Sequence, residues 1–221
     1  MSAQIIFQDT KVKLPHVSKA LTVTGEIQKG EVIALRGPSG CGKSSTLNAL
    51  ALMEDSKPIY LIAGESTSDI DPWKLSCGYD FQDTALLDHL NVIDNLCFPL
   101  KFRTPFKDWD LSLQRDRAMQ YLRNLDLDHL SESLPCELSG GEAQRVGLLR
   151  ACIYEPKLLL LDETFSALDK ETKKRVKIWL KSHIQHTQSS CLLIAHSDED
   201  GVDFVDREIT WPTSSNLVLQ F

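Results

Sequence analysis

Residues 31–53, EVIALRGPSGCGKSSTLNALALM, decide how this chain is read. EVIALRG is a short apolar strand that runs into a glycine-rich turn, and KSSTLNALALM continues as a helix. Between them, Gly37–Ser44 (GPSGCGKS) satisfies G-x-x-x-x-G-K-[ST] at every fixed position. The strand–loop–helix setting separates a phosphate loop from a chance match. Its glycines let backbone N–H groups curl round the β- and γ-phosphates of a nucleotide, where side chains would obstruct them. Gly37, Pro38, Ser39, Gly40, Cys41 and Gly42 form the expected cradle. Lys43 brings a point charge to the phosphates, and the Ser44 hydroxyl is a hard oxygen ligand for Mg²⁺. Ser45 is expected to reach the phosphates from the first helical turn.

The rest of the chain narrows the class. It has 221 residues, of which 42% are hydrophobic and 25% charged, enough to bury the core of one compact domain with a lobe inserted. Its longest apolar runs, such as KLLLLD and SCLLIAH, are strand-length and fall short of the roughly 20 residues a membrane-spanning helix needs. MSAQIIFQDTKVK lacks the basic start and apolar core of a secretory signal, so a cytoplasmic location is expected. Six cysteines, with no CxxC pair, read as reduced, mostly buried thiols. A formal net charge of −7 argues against broad nucleic-acid binding.

Outward from the phosphate loop, QIIFQDTKVKL and ALTVTGEI read as an N-terminal β-hairpin, and PIYLIAG and KLSCGYDFQ as further strands. From about residue 83 to 152 the texture changes. DWDLSLQRDRAMQYLRNLDL spaces Leu111, Leu113, Ala118, Tyr121, Leu122 and Leu125 at a helical rhythm, and no strand pattern returns before KLLLLDE. Strand, helix (KETKKRVKIWLKSHIQ), strand (SSCLLIAH) and two terminal strands (REITW, NLVLQF) complete the chain. That succession predicts an α/β fold with a doubly wound sheet, residues 1–82 and 153–221 forming the α/β core with its β subdomain and 83–152 a helical subdomain.

Two further stretches carry chemistry. In LLLLDE an apolar run delivers Asp162 to the carboxyl edge of the sheet, where a Mg²⁺ ligand is needed, and Glu163 is placed to orient or deprotonate an attacking water. LSGGEAQR starts a second helix whose N–H groups and dipole attract an anion, although Ser139 and Glu142 also have the spacing of an ordinary capping box. A nucleotide at Lys43 already has its own helix N-terminus. The second one would serve only a nucleotide held by another copy, so a head-to-tail pair would form two composite sites from one interface.

Together these segments resemble the ATP-binding subunit of ABC transporters over nearly the whole chain. GPSGCGKS is similar to Walker A, KLLLLDE to Walker B and LSGGEAQR to the ABC signature, while FQDTALLDHLNVIDNL, SALD and LLIAHS are similar to the Q-loop, D-loop and switch-histidine segments. The resemblance implies a P-loop NTPase fold with a RecA-like core, an N-terminal antiparallel β subdomain and an inserted helical subdomain. It implies ATP and Mg²⁺ as ligands, and hydrolysis in a homodimer that drives separate membrane permease subunits from the cytoplasmic face. Gln82 would contact Mg²⁺ or the attacking water, Ser139, Gly140 and Gly141 would take the partner's γ-phosphate, Asp169 would lie across the dimer, and His196 would hold the γ-phosphate and the base. A soluble ABC-type ATPase acting on nucleic acid or ribosomes is the alternative.

Departures from the family pattern concern the base. The aromatic residue that usually stacks on adenine falls at Leu14, with His16 as a possible substitute, and DET stands where many members have Asp-Glu-Pro. Cys41 inside the loop predicts that alkylation blocks ATP binding. Leu86, Leu87 and Leu90 read equally as a groove for a membrane partner's helix or as core. His183 and His186 are expected on a solvated helix face, because no acid or cysteine near them completes a metal site, and KETKKRVK reads as an exposed basic face.

Overall fold

The computed structural model describes residues 3–14, 20–53, 58–195, 204–212 and 218–221. Strands β1 (Ala3–Val12) and β2 (Leu21–Gln28) pair antiparallel, and β3 (Val32–Arg36) leads through the glycine loop into α1 (Lys43–Leu50). Two short strands, β4 (Leu61–Ile62) and β5 (Glu65–Ser66), precede β6 (Cys77–Asp80). Three helices follow: α2 (Val92–Leu100), α3 (Leu111–Asn124) and α4 (Gly140–Cys152). The chain then runs through β7 (Leu158–Asp162), α5 (Lys170–Thr187), β8 (Ser190–Ile194), β9 (Arg207–Thr210) and β10 (Val218–Gln220).

Five strands form a parallel sheet in the order β6-β7-β8-β3-β9. LLLLD of β7 and SCLLI of β8 are buried at every position, as central parallel strands covered on both faces must be. Their period of two divides the interior. Val32, Ala34, Leu159, Leu161, Cys191 and Leu193 face a core closed by α2–α5. Ile33, Leu35, Leu158, Leu160, Leu192 and Ile194 face the opposite core, shared with α1, β1 and β2. On α5, Val176, Leu180 and Ile184 fall at i, i+4 and i+8 and supply the buried stripe.

Three sequence expectations are corrected. PIYLIAG gives only the two-residue β4, because Pro58 lacks a ladder donor and the backbone of Tyr60 is taken by Thr67, its N–H donating to Thr67 Oγ1 at 3.0 Å and its carbonyl accepting from Thr67 N at 2.9 Å. NLVLQF does not extend the doubly wound sheet: β10 pairs in parallel with β2, so the N-terminal sheet, in the order β10-β2-β1-β4-β5, is mixed rather than wholly antiparallel. Gly25, at φ +106°, makes that docking possible, since a Cβ there would stand 2.1 Å from Phe221 O. Finally, His183 does not lie on a solvated face. Its ring stacks on Trp179 at 5.2 Å and meets the edge of Tyr121, and burial pushes its pKa down to about 4.

Candidate functional site

The carboxyl ends of β3, β6 and β7 bring the chemistry-bearing segments to one edge of the sheet, where open α/β folds bind ligands. In the loop after β3, Gly40 and Gly42 adopt φ of +75° and +109°, which side chains disfavour. Gly42 is the N-cap of α1 and, having no side chain, leaves the first turn uncapped. The other four α-helices among the described residues are each capped by a side chain: Asn91 on α2, Asp110 on α3, Ser139 on α4 and Asp169 on α5. An N-terminus with free N–H groups inside a glycine cradle suits a phosphate. Lys43 lies buried and folded back on its own loop, donating to Gly37 O at 2.9 Å and Pro38 O at 2.8 Å, with Cys41 Sγ at 3.9 Å.

Ser44 and Asp162 are brought together as expected, with Oγ donating to Asp162 Oδ1 at 3.2 Å. A hydroxyl and a carboxylate at a helix N-terminus form an all-oxygen donor set, which fits Mg²⁺. Glu163 follows at φ +54°, a left-handed conformation that costs a non-glycine residue roughly 1–2 kcal/mol. Two donors hold its carbonyl, Ser166 N at 3.0 Å and Gln144 Nε2 at 3.0 Å. Its carboxylate accepts from Gln82 Nε2 at 3.3 Å, so Gln82 stands with Glu163 rather than with Ser44 and Asp162.

The signature segment is differently disposed. Ser139 donates its hydroxyl to Glu142 Oε2 at 2.6 Å and its N–H to the same oxygen at 2.8 Å, a capping box that holds the Glu142 carboxyl below the usual range. Ser139 and Gly140 are exposed, and no hydrogen bond or ion pair among the described residues joins 139–141 to the phosphate loop. Asp169 is a surface residue that caps α5 through Glu171 N and Thr172 N, and the Thr172 hydrogen bond leads in lowering its pKa. Leu14 is 3% exposed, with Cδ1 3.3 Å from where a Gly42 Cβ would be, so it offers no stacking surface. His16 and His196 lie outside the described residues.

Three residues that sequence reasoning passed over complete the arrangement, all touching α4 or on it. Gln144, 3% exposed, binds the turn after β7 through Glu163 O, Ser166 Oγ at 3.2 Å and Ala167 N at 3.0 Å. Arg150 donates to Thr84 O and Ala85 O, both at 2.8 Å, fastening the loop that follows Gln82. Asp80 is buried beside Thr164, in a slot that exists because residue 147 is glycine: a Cβ there would stand 2.9 Å from Asp80 Oδ1. Burial pushes the Asp80 carboxyl up to about 7, against the pull of Thr164 and Arg150. A polar residue inside an apolar helical stripe was the available signal for Gln144.

Comparison with known proteins extends these observations. The family described as ABC transporter matches residues 21–166. The sulfate/thiosulfate import ATP-binding protein CysA of Bordetella bronchiseptica is 35% identical over 188 residues, covering 85% of this chain and 53% of that protein. Its namesake in Pseudomonas aeruginosa is 36% identical over 183 residues, covering 82% and 56%. The chain thus spans about half the length of these curated relatives. Among solved structures, an ATP-binding cassette in a dimeric post-hydrolysis state with ADP and phosphate superposes with a TM-score of 0.81 at 25% identity, over 93% of both chains. A second dimeric ABC transporter cassette gives 0.80 at 25% identity, over 98% of this chain and 94% of that one.

Proposed function

Because the chain belongs to the ABC transporter family, we propose that it is the ATP-hydrolysing subunit of a multi-subunit importer, working as a head-to-tail dimer on separate membrane subunits. The observation that carries the ATP reading is the contrast among the helices: of the five α-helices among the described residues, α1 alone leaves its N-terminus without a side-chain cap, inside a glycine loop that holds a lysine. The import names of the relatives support the direction of transport.

In this reading the loop amides of residues 37–45 receive the β- and γ-phosphates, and Lys43 turns from the loop carbonyls to the phosphate oxygens. Ser44 and Asp162 would hold Mg²⁺, which when bound supplies positive charge to the phosphates. Glu163 orients a water against the γ-phosphorus and takes its proton as the bond to the leaving ADP oxygen breaks, while Gln82 fixes the carboxylate. Ser139–Gly141 of a second copy close over the γ-phosphate, the Ser139 hydroxyl exchanging Glu142 for a phosphate oxygen. Asp169, exposed at the start of α5, would face the partner, and His196 would act on the γ-phosphate. Loss of that phosphate opens the pair.

In this reading the membrane partner docks on exposed aromatic residues rather than on the leucines after Gln82. Leu86, Leu87 and Leu90 are half-buried, and Leu86 packs on the helical core. Trp73 (67% exposed), Phe98 (40%) and Phe102 (64%) instead line a depression of about 1000 Å³ with Arg103, Phe106 and Tyr154. Helices α2–α4 would move as a lobe between this surface and the dimer interface.

The test is Glu163→Gln. The variant should bind ATP and dimerise yet hydrolyse at least about 100-fold more slowly, and turnover per unaltered subunit should fall on dilution. A monomer that hydrolyses ATP at the full rate would overturn the composite site.

A further inference from the structure

We infer that Trp211 is a positioning residue for nucleotide binding: its side chain spans the phosphate loop from behind and holds Gly37 and Gly42 at a fixed spacing. The inference rests on the ATP reading above. Trp211 follows β9 directly, and its N–H donates to Arg36 O at 2.6 Å, carrying the β3–β9 pairing one step further, to the residue before the loop. Its near end meets the loop's entry, for a Cβ on Gly37 would stand 2.5 Å from Trp211 Cβ. Its far end meets the exit, where a Cβ on Gly42 would stand 3.4 Å from Cζ2 and 3.6 Å from Cη2, with Leu14 Cδ1 completing the contact at 3.3 Å. The residue is only 7% exposed, so it touches the loop's back and not a ligand.

Two features make this contact functional rather than mere filling. Gly42 is left-handed and lends no side-chain cap to α1, and the side chain that does reach it, Thr46 Oγ1 on Gly42 O at 3.0 Å, holds its carbonyl to α1 and not its spacing from Gly37. The bonds that now close the loop run from Lys43 to Gly37 O and Pro38 O. Those bonds are given up when the ammonium turns to a phosphate. A rigid indole anchored to β3 through Arg36 then keeps both ends of the cradle in place while Lys43 changes partner. Tryptophan suits this task because it covers a large area with two rotatable bonds.

The substitutions Trp211→Phe, Trp211→Leu and Trp211→Ala grade the contact. Leucine keeps the Cβ against Gly37 and stays apolar but cannot reach Gly42. If the loop is then competent about a tenth of the time, the apparent Kd and KM for ATP rise about tenfold with kcat within about twofold, and phenylalanine falls between leucine and the natural residue. A purely structural role would lower the folded fraction and leave the affinity of folded molecules alone. Should the alanine variant not fold, the leucine variant decides. Equal ATP affinity in the leucine variant and the unaltered chain overturns the role of Trp211 alone. Absence of ATP binding by the unaltered chain overturns the ATP reading and this role with it.

Discussion

Removing the buried side chain of Gln144 should destabilise the chain by an amount that its hydrogen bonds set. Gln144→Ala removes two hydrogen bonds donated by Nε2, to Glu163 O and Ser166 Oγ, and one accepted by Oε1 from Ala167 N. Each contributes about 1 kcal/mol net, so the expected loss from the three bonds is about 3 kcal/mol. For a chain of this size that lowers the unfolding midpoint by about 6–12 °C. Urea unfolding should show a lower midpoint at unchanged slope. The second effect is chemical. Glu163 sits at φ +54° and loses one of the two donors on its carbonyl, so hydrolysis should fall in molecules that remain folded. Gln144→Glu keeps the shape and the acceptor for Ala167 N but sets an oxygen against Glu163 O, and should be as damaging. If Gln144→Glu matched the unaltered chain in stability and turnover, the claim that donors from α4 hold this turn would be refuted.

Asp80 predicts a pH dependence. Its folded pKa, about 7, lies above the unfolded value near 3.9, so the folded chain keeps a proton that the unfolded chain releases. The contribution is whole below pH 4 and drains away as pH rises through 7. Asp80→Asn should flatten that slope in urea titrations at pH 5 and 8, whereas an unchanged slope would mean that another group carries it. At the exposed aromatic surface, Phe98→Ser with Phe102→Ser should leave stability within about 1 kcal/mol and the isolated ATPase intact. Co-purification with a membrane partner should be lost, and its retention would move the docking surface elsewhere.

The legible parts of the sequence were those whose chemistry is local. GPSGCGKS needs only its own backbone and the strand before it, and LLLLDE declares a central strand ending in acids. Both appear where expected, with Ser44 on Asp162. What could not be read depended on distant partners. The route of β10 to β2 depends on the room Gly25 leaves for the backbone of Phe221. His183 was misread because a spacing of three says nothing of Trp179 and Tyr121 packing over the ring. Asp80 looked like part of an ordinary strand, and its slot is set by a glycine 67 positions further on. The aromatic depression was invisible for the same reason, since Trp73 and Phe98 meet only in three dimensions.

Helix α4 can be considered as a mechanical part. Along one rod, Ser139 faces outward at the tip, Gln144 grips the turn that holds the glutamate, Gly147 seats Asp80, and Arg150 grips the loop after Gln82. At 1.5 Å per residue the whole span is about 16 Å, too short for an unkinked helix to bend appreciably. On the proposed composite site, a push on the tip from a neighbouring molecule's ligand would reach Glu163 and the loop beyond Gln82 in a single stroke, and stiffness would become a property on which turnover depends.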